Sequence, residues 1–286
     1  MGPCVGGVVG AELSAVALAL LSALSWGAGD FGGGVAARRL NPYWVALLVH
    51  ATGFLFFTLA ALGRGEELQP SDLPWSLGAG VAGCAGLFFL YRAFMTGQMG
   101  LVAPVAGVVG AGLAALVGMG LEGVPAPLQL LGFGFGLVGV WLAARPEGAQ
   151  GGAQGLGYAF LAGAGFGGYF VLIDRVEGLF WPSALAKLTA LALMLLWLWQ
   201  SRASAGLGFS RTLPLVVLAG LLDAGGNVLF LAAAQAGRLD VAAVISSLYP
   251  AFTVLLAWGL LRERLGRGQG LGVLLSLVAV ALIAGG

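Results

Sequence analysis

Five ionisable side chains interrupt long apolar stretches of the sequence, and they have the most scope for chemistry. They are Asp30, His50, Arg92, Lys187 and Asp223. An ionisable group in an apolar setting is costly, and it marks a binding site, a relay or a paired site. Asp223 lies deepest in its stretch, so we take it as the first candidate for proton or ion coupling. Asp30 is the second candidate, as a proton site or as a counter-ion for a substrate amine.

These residues also have plainer interpretations. Asp30 can act as a helix cap near the end of its stretch, and Arg92 can extend its head group to a nearby segment end. Lys187 is typical of an interfacial lysine, and His50 of a packed, hydrogen-bonded histidine with a proton relay as the alternative.

Amide and aromatic side chains add a polar and ring-lined surface to the carboxylates. Asn227 lies one helical turn after Asp223, so both side chains share a helix face. Trp26 shortly precedes the first carboxylate, Tyr91 adjoins Arg92, and Tyr169 follows a glycine-rich run. We expect these groups to line one site.

Hydroxyl groups precede a proline in another apolar stretch. Ser246, Ser247 and Tyr249 come directly before Pro250. A proline within a helix removes one hydrogen bond and frees a carbonyl group. Such a break is tolerated in lipid where it lines a cavity or is satisfied by neighbours. We predict a break here and a comparable one at Pro104, with simple kinks that shape the bundle as the alternative.

Composition identifies the surroundings of these groups as lipid. The chain has 286 residues, of which 59% are hydrophobic and 9% are charged. A soluble domain has about a quarter charged residues. We therefore expect an all-α, multi-pass integral membrane protein with the bilayer as its partner. We place it in a bacterial cytoplasmic membrane as an expectation.

About 20 apolar residues cross a bilayer of about 30 Å. We predict ten transmembrane helices at 13–34, 42–62, 73–96, 100–120, 127–144, 155–173, 181–200, 212–235, 240–261 and 269–285. Glycines four residues apart place two small residues on one helix face, which favours close packing, with sliding surfaces as the alternative. These pairs are Gly29 and Gly33, Gly132 and Gly136, Gly163 and Gly167, and Gly268 and Gly272.

The chain repeats itself. Pro42 and Pro182 stand 140 positions apart, as do Gln129 and Gln269, without any gap between these landmarks. Five spans per repeat reverse the orientation of the second copy, and such inverted repeats are typical of transporters with a site between the halves. We predict a first five-helix repeat at 1–146, a linker at 147–154 and a second repeat at 155–286.

Basic residues collect in alternate connections. The connections after the first, fifth, seventh and ninth spans carry most of the arginines, so the positive-inside rule predicts that both termini lie outside the cytoplasm. Net charge is only +1, which gives no electrostatic case for nucleic acid. The sequence has one histidine and no closely spaced cysteine pair, so it does not predict a metal site. It also has no phosphate-binding motif. We expect no cofactor and no enzyme activity.

The motifs resemble those of a known family. The segment Leu24-Ser-Trp-Gly-Ala-Gly-Asp-Phe-Gly-Gly33, the pair Tyr249-Pro250 and the segment Leu260-Leu-Arg-Glu263 are similar to the EamA-like branch of the drug/metabolite transporter superfamily. The first repeat departs from this pattern, with Gly110 at the counterpart of Pro250 and Glu122 one place before that of Glu263. The resemblance implies a transporter, often an exporter of amino acids or related compounds, with a central cavity. It also implies cytoplasmic termini, against the charge distribution.

Together these observations predict a secondary transporter, and in particular an exporter of small amphipathic metabolites. The predicted substrate-binding residues are Trp26, Asp30, Tyr91, Arg92, Tyr169, Asn227, Ser246, Ser247 and Tyr249. The alternatives are an uncoupled facilitator and a membrane-embedded enzyme or lipid-handling protein. Ten spans can form a self-sufficient bundle, so we expect a monomer or a weak homodimer.

Overall fold

A computed structural model describes residues 5–37, 39–96, 99–144, 155–202, 209–261 and 266–284. Within these ranges the chain forms helices and short connections, and no strand. There are eleven α-helices, and Pro70–Asp72 forms a short 3-10 helix before the third of them. The helices are α1 (Val5–Ala37), α2 (Pro42–Arg64), α3 (Leu73–Thr96), α4 (Met99–Glu122), α5 (Pro127–Ala144), α6 (Leu156–Ile173), α7 (Phe180–Ser201), α8 (Phe209–Ala236), α9 (Leu239–Ser246), α10 (Tyr249–Leu261) and α11 (Arg267–Ala284).

The helices follow the predicted apolar segments closely. In the described part of the chain, seven helices are long and apolar enough to cross a membrane: α1, α2, α3, α4, α6, α7 and α8. The remaining apolar helices are shorter, at Pro127–Leu142, Leu239–Thr253 and Arg267–Ile283. An all-helical, multi-pass membrane architecture is therefore confirmed, whereas the count of ten spans stays a prediction. The predicted linker lies outside the described residues.

The ninth predicted segment is divided as the proline suggested. Helix α9 ends at Ser246, and α10 begins at Tyr249, so Pro250 lies in the first turn of α10. A proline is tolerated there because the first amides of a helix have no intrahelical partner. The prediction of a comparable break at Pro104 is wrong, because α4 begins at Met99 and continues through Pro104 without interruption. This proline removes one hydrogen bond near the helix end, which the rest of the helix tolerates.

The two halves of the chain are interleaved rather than side by side. Helix α1 packs along α8 as α6 packs along α3, and α2 crosses α8 as α7 crosses α3. Helix α2 also contacts α7, and α5 lies along α11, so each of these helices meets its own counterpart. Exchanging the halves therefore reproduces the most extensive of these contacts. Most of the helix contacts in the bundle join one half to the other.

Glycines allow the closest of these contacts. A Cβ at Gly163 would lie 2.7 Å from the carbonyl oxygen of Ala106, and a Cβ at Gly167 would lie 2.8 Å from that of Gly110, so this predicted pair packs against α4. Gly33 has no such neighbour within 4 Å. The predicted pairing of this residue with Gly29 as one packing surface is therefore wrong, although Gly29 itself contacts α8.

Carboxylates of the first half cap backbone amides of the second half at one end of the bundle. Glu66 accepts hydrogen bonds from the amides of Phe180 and Trp181, at the beginning of α7. Asp72 accepts from the amides of Glu177 and Gly178. Free amides at a helix N-terminus favour such acceptors, because they have no partner within the helix and carry partial positive charge. These bonds fix the α2–α3 loop to the α6–α7 loop.

A second set of bonds joins two further loops at the same end. Glu122, at the end of α4, accepts from the amide of Leu239 at 3.0 Å, and Arg238 donates to the carbonyl groups of Glu122 and Gly123. Gln235 donates to the carbonyl group of Val176, which connects this set to the first. We call this the acidic end of the bundle; it comprises loops 65–72, 123–126, 174–179 and 237–238.

Asp174 makes the acidic end sensitive to pH. Burial, and then the neighbouring Glu122 carboxylate, raises the pKa of Asp174 from 3.8 to about 6, and Arg175 offsets part of this shift. The folded protein therefore holds this proton more tightly than the unfolded chain does. The contribution of Asp174 to stability consequently falls as pH rises from 3.8 to about 6, and stays low above that.

We expect Asp174→Asn to raise the melting temperature of the purified protein at pH 7.5 and to change it less at pH 5. The asparagine cannot ionise, so it removes the unfavourable charge present above the raised pKa. Melting curves in one detergent at the two pH values measure the gap between variant and wild type. Glu67→Gln is the control, because it removes an exposed carboxylate from the same end. A gap that is larger at pH 5 would contradict this account.

Candidate functional site

An ion pair lies near the middle of the helices of the second half. Lys187 Nζ on α7 is 2.5 Å from Asp223 Oδ2 on α8. The lysine side chain is 10% exposed and the aspartate side chain 28% exposed. The aliphatic part of Lys187 lies over Gly53, the midpoint of α2, where a Cβ would be 3.3 Å from Cε. Absence of a side chain at Gly53 therefore lets the lysine pass between α2 and α7 to reach Asp223.

Asp30 faces the ion pair from α1. Its carboxylate interacts electrostatically with that of Asp223 and with the Tyr249 hydroxyl group. Asp30 itself is exposed. Among the described residues, no basic side chain forms an ion pair with Asp30.

His50 approaches the same ion pair from α2. It interacts electrostatically with Lys187 and Asp223, and it is 7% exposed. Neither ring nitrogen has a hydrogen-bond partner in the described part of the chain. Buried polar groups without partners are rare in folded proteins, and each one calls for an explanation by a water, a ligand or a functional state. We call Asp30, His50, Lys187 and Asp223 the central cluster.

Tyr169 and Asn227 connect the central cluster to α6. The hydroxyl group of Tyr169 donates to the Asn227 side-chain oxygen, and the Asn227 amide donates to the carbonyl group of Asp223. Tyr169 also interacts electrostatically with the carboxylate of Asp223. This arrangement agrees with the shared helix face that the spacing of Asn227 and Asp223 predicts.

Aromatic rings pack together beside Asp30. The Trp26 ring stacks at 5.8 Å on both Phe170 and Phe230, and it meets Tyr249 edge-on at 6.3 Å. The indole lies against the backbone of Gly226, in the space that any side chain at this position would occupy. Helices α1, α6, α8 and α10 thus supply one aromatic wall beside Asp30.

Serines of α1 hold that helix in place. Ser22 Oγ donates to the carbonyl group of Gly226 at 2.8 Å, and Ser25 Oγ donates to that of Leu222 at 2.6 Å. Both bonds fall within one turn of Asp223 or Trp26, so they fix α1 against α8 where the cluster forms. Neither serine could be predicted as part of the site, because a serine in an apolar segment gives no indication of its hydrogen-bond partner.

The structure gathers only part of the predicted site. Trp26, Asp30, Tyr169, Asn227 and Tyr249 meet around Asp223. Lys187 and His50 were not in the predicted binding set, although both were considered as ionisable residues. The sequence offered one indication of the ion pair, since a lysine and an aspartate occur in consecutive predicted spans.

The other predicted residues lie elsewhere. Ser246 and Ser247 are buried, and their hydroxyl groups donate to the carbonyl groups of Ala19 and Val244. Arg92 is exposed and lies over the ring of Phe88. Tyr91 belongs to α3, but its side chain lies outside the described part of the structure. The binding roles of these four residues stay predictions.

The described residues include no group of three or more histidine, cysteine or carboxylate side chains that could hold a metal ion. The chemistry available at the central cluster is therefore that of one ion pair, one further carboxylate, a histidine and aromatic rings. Such groups can bind a polar or charged organic molecule and exchange protons with it.

Comparison with known proteins identifies the same architecture. A family model described as "EamA-like transporter family" matches residues 13–145 and again residues 153–285. A solved structure described as "Crystal structure of protein" superposes with a TM-score of 0.79, covering 94% of this chain and 96% of the other at 19% identity. At this identity the likeness concerns the fold alone. The search of curated proteins found no match.

Proposed function

Because the chain belongs to the EamA-like transporter family, twice matched along its length, we propose that it is a secondary transporter which exports small amphipathic metabolites from a site between its halves. The observation that carries this proposal is the central cluster. Its ionisable groups come from helices of both halves, and they meet within an apolar bundle. Sites at the interface of two repeats near the bilayer midplane are typical of alternating-access transporters.

The proposed mechanism is rocking of two inverted five-span repeats about the central cluster. The exchange symmetry of the helix contacts supports this, since the most extensive contacts have counterparts when the two halves are exchanged. An odd number of spans per repeat gives the halves opposite orientations in the membrane. For the central cluster to become open to solvent at the acidic end, the hydrogen bonds of Glu66, Asp72 and Glu122 to the second half must break.

The proposed coupling residue is Asp223, with Asp30 beside it. A carboxylate that pairs with Lys187 in one state can release it when protonated, and the change of charge alters which conformation is favoured. Proton binding and substrate binding at one cluster are then linked by reciprocity. Glycine and serine contacts between α1 and α8 transmit any movement of Asp223 to Asp30.

Counterflow in proteoliposomes tests the transport function. Labelled amino acids and small aromatic amines are offered outside vesicles that hold the same unlabelled compound, with and without a pH gradient. We expect one class to show trans-stimulated uptake that depends on the gradient. We expect Asp223→Asn to keep exchange but to lose at least about tenfold of the gradient-driven accumulation, because it cannot release a proton.

The outcomes separate the alternatives. Exchange without accumulation under any gradient would favour an uncoupled facilitator. Gradient dependence that persists in Asp223→Asn would move the coupling role to Asp30. If none of the compounds shows trans-stimulated uptake, and the melting curve shows that the protein is folded, the lipid-handling alternative would be favoured. Glu67→Gln is the matched control, since it removes an exposed carboxylate far from the central cluster.

A further inference from the structure

The central cluster carries an unbalanced charge. Asp30 and Asp223 are two carboxylates, and Lys187 supplies one positive charge, while histidine is neutral in the formal count at pH 7. Arg92 is the other basic residue within an apolar segment of the sequence, and it lies close to the end of α3 and not near its middle. The cluster therefore has a formal charge of minus one.

The structure shows which carboxylate lacks a counter-ion. Lys187 is engaged by Asp223 at 2.5 Å, whereas Asp30 has no ion-pair partner among the described residues. A charge inside an apolar bundle is costly unless something neutralises it. Because Asp30 is exposed and has no ion-pair partner among the described residues, we expect the neutralising charge to be a proton or a cationic group of a bound molecule.

We propose that the central cluster selects molecules with one net positive charge, namely monoamines, over zwitterions and anions. This inference rests on the proposed function and names its substrate class. An ammonium group on Asp30 brings the total charge to zero. A zwitterion leaves the total at minus one, and it brings a carboxylate to a site where Asp223 already occupies the lysine. An anion raises the total to minus two.

The surroundings of Asp30 suit such a molecule. Trp26 and Tyr249 lie beside the carboxylate and offer ring faces to the apolar part of an amine, and rings also attract cations. The free ring nitrogens of His50 provide hydrogen-bonding capacity on the opposite side of the ion pair. A proton and an amine compete for the same carboxylate, so uptake of a proton at Asp30 releases the amine. This competition acts beside the proposed coupling at Asp223, because a proton and an ammonium group cannot both neutralise Asp30.

Three probes that share one skeleton test the charge preference. Phenylethylamine is a cation, phenylalanine a zwitterion and 3-phenylpropionate an anion at neutral pH. Titration calorimetry with the full-length protein in detergent measures their affinities. We expect phenylethylamine to bind at least about tenfold more tightly than the other two. We expect Asp30→Asn to weaken its binding by about tenfold or more and to remove the preference, with Glu67→Gln as the control of equal charge change.

The results distinguish the inference from the function on which it rests. Equal binding of the three probes, or no binding of phenylethylamine, would overturn the charge preference. If Asp30→Asn does not fold, the ranking of the probes on the wild-type protein decides. Tight amine binding without counterflow would refute the transport function and leave the site assignment intact. Counterflow of a zwitterion or an anion, with no preference for the amine, would support the transport function and overturn the charge preference.

Discussion

Replacing Lys187 with methionine should lower the free energy of unfolding by about 3 kcal/mol and abolish coupled transport. The variant leaves the Asp223 carboxylate in the bundle without its counter-ion, and the loss of one partner of a buried ion pair costs about 3–5 kcal/mol. We take the lower limit because the Asp223 side chain is 28% exposed. Methionine keeps most of the length that fills the groove over Gly53. Thermal melting in detergent should show a decrease of about 6 °C or more.

The double variant Lys187→Met with Asp223→Asn is the control for this prediction. Removing both charges eliminates the unpaired carboxylate, so most of the lost stability should return. Coupled transport should not return, because the ion pair that is proposed to couple it is absent. A double variant as unstable as the single one would show that the lysine acts through its packing against α2 and not through its charge.

The second large effect concerns the crossing of α3 and α6. We expect Gly165→Ala to lower the free energy of unfolding by about 2–3 kcal/mol. A Cβ at this position would lie 2.6 Å from the backbone nitrogen of Gly86, 2.7 Å from its Cα and 2.8 Å from the carbonyl oxygen of Ala82. These are backbone atoms, which no change of rotamer can move away. The two helices must separate, and this crossing joins the two halves next to Tyr169.

Gly157→Ala on the same helix is the matched control. A Cβ there has no neighbour within 4 Å, so the alanine only restricts the unfolded chain and favours the helix. We expect its melting temperature to equal or exceed that of the wild type. If both variants melt alike, the crossing tolerates a methyl group, and the close approach of α3 and α6 is not needed for stability.

The lengths of the apolar segments predict most of the fold, because in lipid each span must satisfy the hydrogen bonds of its own backbone. This is why predicted segments such as 73–96 and 127–144 coincide with the helices α3 and α5. The break before Pro250 was also predictable, since two serines and a tyrosine precede the proline. The continuity of α4 through Pro104 was not, because a proline near a helix end costs too little to decide the outcome.

The candidate site was predictable in composition but not in its partners. A sequence places Asp223 and Asn227 on one helix face, and the structure agrees. It does not tell which helix lies opposite, so Lys187 was interpreted as an interfacial side chain although it pairs with Asp223. Ser246 and Ser247 show the reverse case, because their polarity suggested a lining role while the structure gives their hydroxyl groups backbone acceptors.

The interleaving of the halves has a consequence for biosynthesis. Helix α1 leaves the ribosome long before α8 exists, and α5 long before α11, so neither can bury its packing face when it enters the membrane. Glu66 and Asp72 likewise cannot form their hydrogen bonds until the amides beyond residue 176 have been synthesised. The first half must therefore persist as a loosely associated set of inserted helices until the second arrives. A chain cut between residues 145 and 154 should accordingly yield two fragments that become stable only when produced together.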